Sequence, residues 1–296
     1  MATEAEAEAL SAGGIRPSEV LRRSAAYLER HDVESPLATA EALLMHVLGT
    51  DRAGLYSRSQ GLDAPTARLY GRALCRRCTG QPLQHLTGRQ QFRDLSLRVE
   101  QGVFIPRPET EVLVEAGLAV VAHVPAPVVV DVGTGTGAIA MAVKQVRPEA
   151  TVVAIDISPE AVTLARENAA QAGLDVEVLE GDLLSPVSRE FRGAVDAVLS
   201  NPPYVEPEDY DDLSPEVRAD PYRALVGGTE IHRRLSSEAG SWLCPGGWLV
   251  MEIGEDQGDE VREVLQGHGF ESVEVLPDLA GRDRVVKGRR PPVRPA

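Results

Sequence analysis

Beyond residue 127 the chain alternates short apolar runs with longer stretches in which apolar positions recur every three or four residues. The short runs at 128–132, 151–155, 176–179, 195–200, 248–253, 272–276 and 284–287 read as strands. The stretches at 137–146, 159–172, 230–243 and 257–267 read as amphipathic helices. Apolar strands separated by helices predict a mostly parallel, doubly wound α/β sheet. Only Pro277-Asp278-Leu279-Ala280-Gly281 separates the last two strands, too few residues for a crossover helix, so the last strand should run antiparallel.

The front of the chain has a different rhythm. Residues 15–80 carry helical spacing, as in Val20-Leu21-Ala25-Leu28 and Ala38-Ala42-Leu43-Val47-Leu48, broken by Gly49-Thr50-Asp51. Ser35-Pro36 and Asp63-Ala64-Pro65 mark helix starts. Shorter alternating segments, 91–99 and 103–105, lie between Gly88 and the next helix start at Pro108-Glu109-Thr110-Glu111. The expected organisation is a helical domain over 1–85, a hairpin linker over 86–105, an α/β domain over 106–288 and a tail over 289–296. The ends, 2–12 and 288–296, are expected to be disordered.

Composition adds bounds. At 296 residues and 43% hydrophobic content the chain can bury a large core. Its net charge of −15 is uneven: residues 1–100 hold 13 basic and 12 acidic side chains, and the remainder holds 17 and 33. Such acidity disfavours direct binding of nucleic acid. The first residues lack the basic and apolar regions of a signal peptide, and no apolar stretch is long enough to span a membrane, so a cytoplasmic protein without membrane contact is expected. Cys75-Arg76-Arg77-Cys78 lacks the second ligand pair a zinc site needs. No metal is expected, and these two thiols read as reduced.

Candidate chemistry begins at Gly133-Thr134-Gly135-Thr136-Gly137, a glycine-rich turn running from the 128–132 strand into a helix and bringing backbone close to a ligand. The spacing of Gly133, Gly135 and Ala138 also matches the dinucleotide fingerprint. Either way Asp156, ending the next strand, suits ribose hydroxyls. No Arg or Lys stands where a 2′-phosphate would want one, which disfavours NADP. Asp182 and Leu183, after the third strand, suit an adenine amine and ring. Acids 131, 156 and 182 at successive strand ends suit S-adenosylmethionine, a phosphate-free nucleoside bearing a sulfonium cation.

Asn201-Pro202-Pro203-Tyr204 follows the fourth strand. The prolines have no N–H and hold the residues before them extended, so the loop is stiff and rich in acceptors. Asn201 Oδ1 and the Pro202 carbonyl would grip a substrate NH2 group, with Tyr204 covering its plane. Glycine turn, strand-end acids and this loop together resemble the class I methyltransferases that act on planar nitrogen. The chain is most similar to the HemK-type protein-glutamine methyltransferases of peptide chain release factors. Pro82-Leu83-Gln84-His85-Leu86-Thr87-Gly88, Phe104-Ile105-Pro106-Arg107-Pro108-Glu109-Thr110-Glu111 and Ala219-Asp220-Pro221-Tyr222-Arg223-Ala224-Leu225 carry the resemblance further, His85 standing where the family has Tyr.

The resemblance implies a class I methyltransferase sheet, S-adenosylmethionine as cofactor, and class 1 release factors as partners through the glutamine of their Gly-Gly-Gln loop. It implies catalytic roles for Asn201, Pro202 and Tyr204, with Pro203 also at the substrate. Cofactor contacts would fall on Gly133, Thr134, Gly135, Thr136, Gly137, Asp156, Asp182, Leu183, Asn201 and Phe104. Phe104 equally fits a hairpin core, and Arg107 a salt bridge. Because the same loop serves a flipped base, an adenine amino methyltransferase of nucleic acid is the alternative.

Overall fold

A computed structural model of the chain describes residues 4–10 and 14–292 and divides into two units, residues 1–89 with 214–219 and residues 90–213 with 220–296. The first unit is helical: α1 Glu4–Ala9, α2 Pro17–Glu29, α3 Pro36–Leu48, α4 Arg52–Ser57, α5 Ala64–Cys78 and α6 Leu83–Thr87. Asp63 caps α5 by accepting from the Thr66 N–H, and Gly49 ends α3 in the left-handed region that glycine tolerates. Tyr27, Leu28, Leu43, Leu44, Tyr70 and Leu74 fill its core with no exposure. Burial of each such leucine is worth roughly 1.5–3 kcal/mol. Within this unit Arg77 pairs with Glu216 at 2.7 Å. Burial pushes the Cys78 thiol up to about 11, which keeps it protonated and unreactive.

The expectation of disordered ends falls partly on residues 2–3, 11–12 and 293–296, which lie outside the described residues. Elsewhere it is corrected. Residues 4–9 are helical because Ala and Glu favour the helix and because Gly71, lacking a Cβ, admits the backbone of Glu8. Residues 288 and 289 end a paired strand, where the Arg289 side chain stacks over Trp248 at 5.8 Å.

A two-stranded sheet follows, β1 Arg89–Phe92 and β2 Leu95–Arg98, all but Arg89 of it in the second unit. The hairpin therefore closes inside the segment expected to be one strand, at Arg93, whose φ of 51° makes the turn. Residues 103–105 form no strand, because the Ile105 N–H is taken by the Asp220 side chain at 3.1 Å and Pro106 follows. Next come α7 Thr110–Val120, β3 Val128–Val132, α8 Ala138–Val146, β4 Thr151–Asp156, α9 Pro159–Ala172, β5 Glu177–Glu180 and β6 Val195–Ser200. The chain ends with α10 Tyr222–Leu225, α11 Glu230–Trp242, β7 Leu243–Glu252, α12 Gly258–Gly267, β8 Glu271–Pro277 and β9 Asp283–Arg289.

The large sheet has the order β5-β4-β3-β6-β7-β9-β8. β3, β4, β5, β6 and β7 pair in parallel, and β9 is antiparallel to both neighbours, as expected from the short final connection. β7 begins five residues before its expected start: Val195 pairs with Leu243 and Ala197 with Trp248, so Pro245-Gly246-Gly247 bulges out of the ladder. Alternation along the strands feeds two cores. Val129, Val152, Ala154 and Leu199 face α7, α8 and α9, while Val130, Val153, Ile155 and Met251 face α11 and α12. The result is a three-layer αβα sandwich. Among the described residues no helix is long and apolar enough to cross a membrane.

Candidate functional site

The winding of the sheet reverses between β3 and β6, and ligands of such folds bind beyond the carboxyl ends of strands at that point. Val132 pairs with Ser200, so the glycine turn and the Asn201 loop leave the sheet side by side. A Cβ on Gly133 would lie 3.9 Å from the Asn201 carbonyl, and one on Gly135 would lie 4.0 Å from that of Phe104. Thus the structure gathers Gly133, Thr134, Gly135, Thr136, Gly137, Phe104 and Asn201 at one edge.

Of the turn's glycines Gly133 is exposed, Gly135 half-buried and Gly137 buried. Gly133, Gly135 and Gly137 have φ of 73°, 56° and 86°, conformations that L side chains rarely adopt. Thr134 and Thr136 are buried, the first donating its hydroxyl to Asp131 Oδ2 at 2.6 Å and the second giving its carbonyl to Asn168. Asp156 reaches across: Oδ2 accepts from the Gly135 N–H at 2.8 Å and Oδ1 from Ser158 at 2.9 Å. Burial raises its pKa, and those backbone donors oppose the rise.

Asp131 has no exposure, and its Oδ1 has no hydrogen-bond partner. Burial pushes this carboxyl up to about 7, against the pull of Thr134 and the Ala140 N–H. An unpartnered buried carboxylate oxygen beside exposed glycine backbone fits a ligand that brings positive charge or donors. Asp182 is exposed and pairs with Arg234 at 2.7 Å. Leu183 is buried with φ of 49°, a strained conformation for its residue type. Among the described residues no group of three His, Cys, Asp or Glu gathers as a metal site.

The acceptor loop is held by residues distant in sequence. Asn201 Nδ2 donates to Thr110 Oγ1 at 3.1 Å, which leaves Oδ1 as its other polar end. The Tyr204 hydroxyl donates to Glu252 Oε1 at 3.3 Å, and the Tyr204 carbonyl accepts from Gln257 Nε2 at 2.8 Å. Behind Pro203 stands Gly227, where a Cβ would meet the Pro203 carbonyl at 2.6 Å. Glu252 is buried, so its carboxyl is pushed up to about 7, with Thr110, Arg284 and Tyr204 drawing it back down. Burial and the neighbouring Glu252 together push the Tyr204 phenol well above its ordinary range.

Phe104 and Arg107 are clamped by a residue of the 219–225 motif to which the sequence reading gave no site role. Asp220, only 3% exposed, accepts from the Ile105 N–H and pairs with Arg107, whose guanidinium lies 5.3 Å from the Phe104 ring centre. Thr110, Gly227, Glu252 and Gln257 were also missed as site residues. The available signal was a lone acid closing the apolar run Trp248-Leu249-Val250-Met251, on the strand beside the acceptor loop.

A family model described as "Methyltransferase small domain" matches residues 108–277, and one described as "PrmC N-terminal domain" matches residues 19–88. A solved methyltransferase from Pyrococcus furiosus shares the fold with a TM-score of 0.50 at 17% identity, covering 67% of this chain and 90% of its own. The release factor glutamine methyltransferase of Deinococcus radiodurans is 41% identical over 276 residues, 92% of this chain and 98% of that one. That of Koribacter versatilis is 41% identical over 272 residues, 90% and 95% of the two chains. With both of its sequence regions matched and relatives of this similarity aligned over nearly their full length, the chain belongs to the release factor glutamine methyltransferase family.

Proposed function

We propose that this enzyme transfers a methyl group from S-adenosylmethionine to the side-chain amide nitrogen of the glutamine in the Gly-Gly-Gln motif of class 1 release factors, in the cytoplasm. The observation that carries the proposal is Asn201, its side chain tied through the nitrogen to Thr110 and its main-chain carbonyl next to Gly133. When bound, the cofactor supplies an electrophilic methyl on a sulfonium. Gly133, Thr134, Gly135, Thr136 and Gly137 would line its backbone-facing side, Asp156 its ribose, and Asp182 with Leu183 its adenine. Phe104, clamped through Asp220, would pack alongside. Asp131 would place negative charge beneath its positive charge.

A primary amide is a poor nucleophile because its nitrogen lone pair is delocalised. The protein's task is therefore orientation and electrostatics rather than deprotonation. Asn201 Oδ1 and the Pro202 carbonyl would each accept one substrate N–H, turning the lone pair toward the methyl. Tyr204, braced by Glu252 and Gln257, would cover the amide plane, and Pro203 would wall its edge. Once methylated, the amide nitrogen would release its surplus N–H proton to solvent, so no residue is assigned as base. The helical unit would dock the release factor.

The test is mass spectrometry of a class 1 release factor after incubation with enzyme and cofactor. A single added methyl on the Gly-Gly-Gln glutamine is expected. Incorporation into nucleic acid alone, in a parallel labelled-methyl assay, would overturn the proposal.

A further inference from the structure

We propose that Glu252 is a positioning residue for the acceptor loop, fixing through Thr110 which end of the Asn201 side-chain amide faces the substrate. The proposal rests on the reading of Asn201 Oδ1 as the substrate acceptor. Thr110 Oγ1 accepts from Asn201 Nδ2, so its single hydroxyl proton must find another acceptor, and Thr110 is only 2% exposed. Glu252, 1% exposed, receives the Tyr204 hydroxyl on Oε1 and holds Oε2 buried without a hydrogen-bond partner, an open acceptor on a carboxyl whose ionised form Thr110 favours. An ionised carboxylate can only accept. The polarity then runs one way, from the Asn201 N–H to the Thr110 oxygen and from the Thr110 O–H to Glu252. Oδ1 is left facing the substrate N–H groups.

Protonation reverses this. A neutral Glu252 donates into the Thr110 oxygen, the threonine proton turns toward the amide, and the amide gains by turning its oxygen to Thr110. Its NH2 would then meet the substrate's own donors. The charged and titratable groups facing Glu252 come from four elements. Tyr204 follows β6, Glu109 precedes α7, Arg284 lies on β9, and His232 of α11 donates Nε2 to the Glu252 main-chain carbonyl at 2.8 Å. Arg284 favours the ionised form and Glu109 opposes it. Burial lowers the His232 pKa, which keeps its ring neutral at neutral pH. Gln257 and Gly254 fix the adjoining backbone, with Gln257 bridging the Gly254 N–H and the Tyr204 carbonyl.

The experiment follows methyl transfer from labelled S-adenosylmethionine to a purified class 1 release factor, comparing wild type with T110V, T110S, E252Q, the T110V/E252Q double variant and N201A. We expect T110V and E252Q each to lose more than about tenfold in kcat with cofactor KM within about twofold, T110S to regain most of it, and the double variant to be no worse than the poorer single. Wild-type kcat should rise with pH through about 7 and E252Q should lose that limb. In the free enzyme labelled with 15N-asparagine, the Asn201 side-chain NH2 signals should titrate with the same midpoint in wild type and stand still in E252Q. Wild-type turnover in T110V and E252Q, or an Asn201 signal indifferent to pH in wild type, overturns the proposal. Full activity in N201A would instead overturn the acceptor reading beneath it; loss in N201A with T110V unaffected sinks the positioning role alone.

Discussion

The turn after β3 and the loop after β6 leave the sheet as neighbours, yet they are stabilised in opposite ways. The first is built mostly from its own segment: three glycines at positive φ, two buried threonines and one acid lie within seven residues of chain, with Asp156 and Asn168 bonding to it from outside. The second is assembled from a distance, by Thr110, Gly227, Glu252 and Gln257. A backbone-built site tolerates little change at its glycines. A side-chain-built site can be detuned while its backbone stays in place.

Cutting one region at a time should separate binding from transfer. Asn201→Ala is expected to lower kcat about 10²–10³-fold, the scale of one deleted transition-state contact, with cofactor affinity within about twofold. Gly135→Ala should do the reverse. A Cβ at φ 56° costs about 1–2 kcal/mol of backbone strain, so cofactor affinity should fall about tenfold while kcat at saturation changes less. Single-turnover transfer and calorimetric cofactor titration check both. Equal losses of affinity in the two variants would break the contrast.

The same contrast explains what was legible in the sequence. Glycine spacing, strand ends and the Asn-Pro-Pro-Tyr loop can be read because each lies within a few contiguous residues. Strand runs were visible because burial on both faces leaves few polar residues between Val128 and Val132 or between Val195 and Ser200. The bracing of the loop was not visible. Thr110 looks like a first-turn helix residue, and Gly227 like a turn glycine until the Pro203 carbonyl is found against it. Glu252 ends a strand whose pairing with β6 is a fact of topology. The short α1 was hidden for a related reason, since its support is Gly71, over sixty residues away. The hairpin was displaced because Asp220, beyond 100 residues on, captures the Ile105 N–H.

Asp131 offers a second way to sharpen the comparison, through pH. Its folded pKa of about 7 stands above the ordinary carboxyl value, so its contribution to stability is complete below about pH 4 and is lost as pH rises to about 7. Between pH 5 and 7 wild type should lose about 2 kcal/mol relative to Asp131→Asn, which cannot ionise. Urea unfolding at the two pH values measures it. Saturating S-adenosylmethionine should shrink the difference, because a cationic ligand over the unpartnered Oδ1 favours the ionised form. A difference indifferent to the cofactor would detach Asp131 from the cofactor half of the site.

The smallest effect is expected where the proposed cofactor half reaches solvent. Asp182 is exposed, and its pair with Arg234 has both side chains about half accessible. An ion pair in that setting is worth about 0.2–1 kcal/mol, because water and salt screen it and two long side chains must be ordered. Removing Arg234 should therefore leave cofactor affinity within about threefold of wild type. Asp182→Ala should cost more, about five- to tenfold, if its carboxylate also accepts from the adenine amine. The two variants share the lost ion pair, so any surplus in Asp182→Ala belongs to the ligand. Equal affinities in calorimetry would make Asp182 a surface partner of Arg234 and confine cofactor recognition to the glycine turn, Asp156 and the buried Leu183.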